Sequence, residues 1–170
     1  MKYLKEFSEV NDDEIMTILK DCFTGVSDII DTQENSGVRF KKFNSKSYKK
    51  YYGKNSEHVK TGRYEVTILF EFLEDSVIYS EGNDIHLDKT YRPSSFTLEI
   101  LDEIKNAISL STGFAELEIK NIGVEYFTIP KEDGFLRLVI NTFKPDSQFF
   151  KLLEDKGDKV RWIKIFYDIN

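Results

Sequence analysis

The chain has little of what marks a disulfide-bonded, membrane-spanning or disordered protein. Cys22 is the only cysteine among 170 residues, so neither an intramolecular disulfide nor a site with several thiolates can form, which favours a reducing compartment. No run approaches the roughly 18 uncharged apolar residues of a membrane-spanning helix. Three prolines, nine glycines and the lack of low-complexity segments argue against extended disorder.

Signatures of catalysis are also missing. No Gly-rich phosphate loop, nucleophile elbow or dinucleotide-binding fingerprint occurs. Cys22 falls on the apolar stripe of a predicted helix beside Phe23, where a buried and inert thiol is expected. Residues 1–7 lack the apolar core of a signal peptide. We therefore expect a cytoplasmic protein with no catalytic residue, no bound metal and no cofactor.

Three helices are predicted from apolar spacing. The first begins with a capping box at Asn11 and Glu14 and ends at Gly25. The second covers 97–111 and ends at Gly113. The third begins at Pro145 and Asp146, and Gly157 ends it.

Strands are predicted from period-two alternation. Residues 64–72 alternate apolar and polar side chains, which indicates a strand with one buried face. Further strands are expected near 114–120, 123–129, 135–143 and 160–167. The stretch 80–93 is interpreted as a polar junction. The order αβββ, αβββ, αβ predicts one α+β domain over 1–170, with a mainly antiparallel sheet and helices packed on one face.

The two halves of the chain share short sequences, which suggests a duplication. Asp-Glu-Ile recurs at 13–15 and 102–104, Thr-Gly at 24–25 and 112–113, and a motif of the form Asn-x-Gly-Val at 35–38 and 121–124. These offsets of 89, 88 and 86 residues drift in one direction. They predict pseudo-repeats at about 11–75 and 97–143, followed by an αβ unit at 145–168.

If the duplication holds, it defines an insertion in the first copy. The second copy connects its strands through residues 130–134, an ordinary hairpin length, whereas the equivalent junction of the first copy runs from Phe43 to about Arg63. Residues 39–63 contain nine Lys or Arg and one acid, Glu57, which gives this segment a net charge of +8. The rest of the chain therefore carries −14, because the whole chain carries −6. The insertion is a basic loop on an acidic body.

This loop is the candidate binding site. Positive charge with interleaved tyrosines fits an acidic protein surface best, although nucleic acid or a nucleotide is also open. Lysines outnumber arginines, whereas bidentate recognition of phosphate favours Arg. The predicted binding residues are Lys41, Lys42, Lys46, Tyr48, Lys49, Lys50, Tyr51, Tyr52 and Lys54.

Two weaker patterns point to metal chemistry. Glu118 and Lys120 on a predicted strand resemble the carboxylate-x-Lys end of restriction-endonuclease-like nucleases, a resemblance that implies Mg²⁺ binding and charge stabilisation on phosphate, with Glu71 as the nearest further strand carboxylate. A cross-strand ion pair explains the same residues. His86 with Asp84 and Asp88 would share a face if the segment were a strand, but a surface loop is the favoured interpretation.

The opening Met-Lys-Tyr-Leu-Lys-Glu-Phe, followed by an acidic capped helix and short strands rich in Lys, Ile, Asn and Phe, resembles small uncharacterised accessory proteins of large tailed bacteriophages. The resemblance implies a virion component or an inhibitor of a host protein or defence system, acting in the host cytoplasm, and it identifies no active residues.

The favoured hypothesis is a non-catalytic protein that contacts an anionic, acidic protein partner through residues 41–60. The alternatives are a metal-dependent nuclease and a structural subunit. The structural subunit would self-associate through a sheet edge or through the terminal strand at 158–168.

Overall fold

The computed structural model describes residues 12–30, 36–43, 64–70, 78–81, 84–87, 96–128 and 136–169. Of 78–81, 84–87 and 136–138, it describes the backbone alone. The helices are α1 (Asp12–Cys22), α2 (Thr24–Ile30), α3 (Leu98–Thr112) and α4 (Ser147–Lys156), and a short 3-10 turn follows at Gly157–Lys159. The strands are β1 (Gly37–Lys42), β2 (Tyr64–Leu69), β3 (Ile78–Glu81), β4 (Asp84–Leu87), β5 (Leu117–Thr128), β6 (Leu136–Phe143) and β7 (Val160–Ile169).

The strands form one sheet in the order β1-β2-β7-β5-β6-β4-β3, and every neighbouring pair is antiparallel. β1 therefore lies at one edge of the described sheet, whereas β7 lies between β2 and β5. The terminal strand, which was predicted as a self-association surface, already pairs on both sides.

The described helices that touch the sheet do so on one face, which we call the core face. Phe23, directly after α1, meets Phe40 and Tyr167 edge to face at 6.4 and 6.5 Å between ring centroids. Ser111 of α3 hydrogen-bonds the Tyr167 hydroxyl at 2.8 Å, and Phe149 of α4 lies 6.2 Å from Phe143. The α+β prediction, with helices on one face of a mainly antiparallel sheet, is confirmed.

The helix α3 forms where the apolar spacing predicted it. Thr97 caps it by accepting a hydrogen bond from the Ile100 backbone N–H at 3.2 Å, and Gly113 ends it. The apolar side chains whose spacing predicted this helix are buried: Ile100, Leu101, Ile104, Ala107 and Ile108. In the same way Asp146 caps α4, which buries Phe149 and Leu153.

Gly25 does not end the first helix as predicted. α1 ends at Cys22, and Gly25 lies inside α2. A side chain at position 25 would collide with the Glu103 carboxylate of α3. A larger residue at position 25 would therefore require the Glu103 side chain to move.

The strands predicted at 114–120 and 123–129 are one strand, β5. The pairing of β5 with β7 skips from Ile119 to Asn121, so Lys120 is the extra residue of a β-bulge. The bulge shifts the alternation by one, so the buried residues Leu117 and Ile119 precede Ile122 and Val124 on the same face. In the sequence, this phase change looks the same as a break between two strands. The second predicted αβββ unit therefore has two strands, β5 and β6, where three were expected.

The polar junction also differs from its prediction. Residues 78–81 and 84–87 are the paired strands β3 and β4. They are separated by Gly82-Asn83, a dipeptide typical of tight hairpins. The interpretation of residues 84–87 as a loop was therefore wrong.

Whether the two halves are a duplication stays a prediction. β1-β2 and β5-β6 are both antiparallel hairpins that follow a helical segment. The order of the sheet makes β1 and β5 run in opposite directions.

Candidate binding surface

The basic loop connects two adjacent strands. β1 and β2 pair in continuous register from Gly37 opposite Leu69 to Lys42 opposite Tyr64. Residues 43–63 are thus a hairpin connection of 21 residues. Gly37 opens β1 with φ of 153°, a backbone conformation that other residues rarely adopt.

The base of this hairpin is fixed to the start of α1. One oxygen of the Asp12 carboxylate pairs with the Lys42 ammonium, and the other accepts a hydrogen bond from the Tyr64 hydroxyl. Tyr64 is fully buried, whereas Asp12 and Lys42 are about half exposed. The contact therefore ties a helix terminus to both strands from which the loop leaves.

The structure separates the two predicted binding residues that it describes. Lys42 lies opposite Tyr64 on the core face, and its ammonium is engaged by Asp12. Lys41 lies on the other face, where its ammonium sits 4.7 Å from the centroid of the Phe43 ring. The remaining seven lie outside the described residues: Lys46, Tyr48, Lys49, Lys50, Tyr51, Tyr52 and Lys54.

The sheet has a second face, opposite the core face, which we call the outer face. The strand register places its side chains in rows across five strands. One row holds Arg39, Thr67, Lys164, Gly123 and Thr142, and the next holds Gly37, Leu69, Trp162, Glu125 and Ile140. Arg39 and Thr142 are exposed, and Ile140 is 60% exposed although it is apolar.

Trp162 is the aromatic centre of this face. A Cβ built on Gly123 would lie 3.4 Å from the indole, so the ring rests on β5 where that strand has no side chain. The Lys164 ammonium lies 4.7 Å from the ring centroid. A partly exposed aromatic ring and an ammonium group thus share one site.

Glu125 is a buried carboxylate beside Trp162. Its side chain is 7% exposed, Oε1 lies 3.8 Å from an Arg161 guanidinium nitrogen, and Oε2 is buried without a hydrogen-bond partner. Burial raises the pKa of Glu125, and the charges of Arg161 and Lys164 offset this only in part. The carboxylate therefore retains an unused acceptor.

The candidate nuclease residues form an ordinary surface ion pair. The Lys120 ammonium lies 3.0 Å from Glu118 Oε2, and half of the Glu118 side chain is exposed. The two residues are two positions apart on β5, a spacing that places side chains on the same face of a strand. Glu71 lies outside the described residues.

Within the described part of the chain, no group of three or more His, Cys, Asp or Glu is placed to hold a metal ion. His86 and Asp84 belong to β4, the strand that the metal hypothesis requires, but their side chains and Asp88 lie outside what the structure describes. Cys22 is buried, and its pKa is raised by burial and by the nearby Asp21, which keeps the thiol protonated.

Sequence reasoning predicted β7 but overlooked its outer face. Along Val160–Tyr167, Ile163, Ile165 and Tyr167 alternate with Trp162, Lys164 and Phe166. The same period that predicted a buried apolar face also placed an aromatic ring and a cation together on the opposite one.

Comparison of the chain with protein-family models, with curated proteins and with solved structures finds no match in any of the three. None of the helices that the structure describes is long and apolar enough to cross a bilayer.

Proposed function

We propose that this chain is a non-catalytic binding protein that contacts an anionic partner, an acidic protein surface, through its Lys/Tyr-rich loop at residues 41–60. The observation that carries the proposal is the hairpin beneath the loop. Lys42 and Tyr64 pair at its base and share the Asp12 carboxylate, so both ends of the loop start from fixed positions. Anchoring at both ends lowers the entropy cost of ordering a long connection on a partner.

Charge supports an anionic partner. The loop and its flanking strand residues carry net +8 on a chain of net −6, so a partner of opposite charge is attracted to this end of β1 and β2. At the loop an acidic protein fits better than nucleic acid, because the basic residues there are mostly Lys, whereas bidentate recognition of phosphate favours Arg. The resemblance to phage accessory proteins supports a target in the host cytoplasm, such as a host protein or a defence component.

The test is charge reversal in the loop. The variant Lys46→Glu, Lys49→Glu, Lys50→Glu, Lys54→Glu should lose partner capture from a lysate of the source cell while its thermal midpoint stays within a few degrees of the wild type. Unchanged capture would reject the loop as the binding site.

A matched control separates local charge from total charge. Lys49→Glu with Lys50→Glu and Lys20→Glu with Lys151→Glu both move the formal net charge from −6 to −10. Lys20 in α1 and Lys151 in α4 are exposed residues far from the loop in sequence. Only the loop pair should weaken capture, and equal losses would assign the effect to net charge alone.

A further inference from the structure

We propose that the outer face of the sheet binds single-stranded nucleic acid, with Trp162 as the stacking platform and Arg39 and Lys164 as the phosphate contacts. This site uses none of the loop residues 43–63, so it stands or falls independently of the proposed function.

The first argument is the combination of an aromatic ring with cations. Single-stranded nucleic acid is bound by a surface that offers rings for the bases and positive charge for the backbone. Here the Trp162 indole rests on Gly123, and the Lys164 ammonium is 4.7 Å from its centroid. A base that stacks on the ring leaves Lys164 free to swing to the adjoining phosphate.

The second argument is the position of Arg39. It shares a row with Lys164 and lies two strands away, which is about 10 Å at ordinary strand spacing. Thr67, which lies between them in the row, has a short side chain whose hydroxyl is bonded to Glu65. The two cations therefore lie on either side of a small side chain.

The ring also decides between nucleic acid and acidic protein at this face. The π face of an indole carries negative electrostatic potential, so it attracts cations and stacks with bases but repels a carboxylate. An acidic peptide could use Arg39 and Lys164 but would gain nothing from Trp162.

Trp162 is the only tryptophan of the chain, so its fluorescence reports on this site alone. Titration with dC15 at low salt should quench that fluorescence, and anisotropy of labelled dC15 should give the same affinity. Two phosphate contacts predict that log K falls with log salt at a slope of about −1.4.

Four variants assign the contacts, all read by anisotropy. Trp162→Leu should weaken dC15 binding roughly tenfold, whereas Trp162→Phe should keep most of it. Lys164→Gln and Arg39→Gln should each reduce the salt slope by about 0.7. Lys105→Gln is the matched control, because Lys105 lies on α3, on the other side of the sheet, and pairs with Glu154 at 3.3 Å.

The proposal is overturned if dC15 neither quenches Trp162 nor changes anisotropy at low salt, or if Trp162→Leu binds as tightly as the wild type. Quenching of Trp162 fluorescence by poly-L-glutamate as strong as that by dC15 would instead make this face a site for acidic protein. The thermal midpoints of all variants serve as the folding control.

Discussion

At Glu125, burial opposes the charge that the side chain carries in water. The ordinary pKa of this carboxyl is 4.5, and in the folded protein it is raised, chiefly by desolvation. The unfolded chain therefore loses this proton at lower pH than the folded protein does. The contribution of Glu125 to the free energy of unfolding is fully present below about pH 4.5. It is lost as the pH rises through the pKa that Glu125 has in the folded protein.

Glu125→Gln should therefore raise the thermal midpoint at pH 7.5 and leave it nearly unchanged at pH 4, because glutamine cannot ionise. Thermal scans at the two pH values measure this difference. Glu118→Gln is the control, since half of the Glu118 side chain is exposed, and it should change neither midpoint by more than a degree or two. A midpoint for Glu125→Gln that falls at pH 7.5 would show that the ion pair with Arg161 outweighs desolvation.

Ser111 and Tyr167 form a buried polar pair, and removing the hydroxyl of Ser111 should destabilise the protein more than removing that of Tyr167. Both are fully buried, and the Ser111 hydroxyl also contacts the Ile108 carbonyl oxygen at 3.0 Å. Ser111→Ala strips the Tyr167 hydroxyl of this partner and should cost about 1–3 kcal/mol, whereas Tyr167→Phe leaves Ser111 bonded to Ile108 and should cost less.

Urea denaturation of both single variants and the double variant measures these costs. The double variant should be less destabilised than the sum of the two singles, because the second change removes a group that has already lost its partner. Strict additivity would contradict the pairing.

At the scale of elements, the sequence predicted what depends on period alone. The apolar stripe of α3 and the apolar face of β2 were predicted correctly, because side chains at a regular spacing share one packing partner along the element. The opposite face of β2 was not, since Glu65 is buried there. The bulge at Lys120 was missed, since a one-residue insertion and a strand break give the same change of phase. Of the candidate site, Lys41 and Lys42 could be named from composition, but only the strand register shows that Lys42 is the one on the core face.

Deleting Lys120 should be tolerated because the bulge residue is unpaired. Its removal leaves Ile119, Asn121 and Ile122 in strict alternation, so every apolar side chain of β5 keeps its face. We expect stability within about 1 kcal/mol of the wild type, measured by denaturation. Deleting Val124 instead moves one part of β5 to the wrong face and should prevent folding; a folded protein in that case would contradict the register.

At the scale of the whole molecule, β7 joins two hairpins that are distant in sequence. Its residue Ile165 lies opposite Val66 on one side and Ile122 on the other, and all three are fully buried. Loss of packing at this point removes contacts from both halves of the sheet. The four helices and the strands β1, β2, β5, β6 and β7 contribute to one hydrophobic core, so the halves should unfold together.

Ile165→Ala should destabilise the protein by about 2–5 kcal/mol, and far-UV circular dichroism and Trp162 fluorescence should report the same midpoint. Ile140→Ala is the control, because Ile140 is 60% exposed and its truncation should cost less than about 0.5 kcal/mol. Separate midpoints from the two probes would mean that the halves unfold independently.

Because β7 lies inside the sheet but near the end of the chain, its neighbour β2 is synthesised long before it. A ribosome completes β2 about 90 residues before it starts β7, an interval of roughly 5 to 20 seconds at ordinary elongation rates. Throughout that interval the newly made β2 exposes an unsatisfied row of backbone amides on the side reserved for β7. The nascent chain therefore carries an exposed strand edge that can pair with other chains, and chaperones that shield such edges should affect the yield of folded protein in the cell.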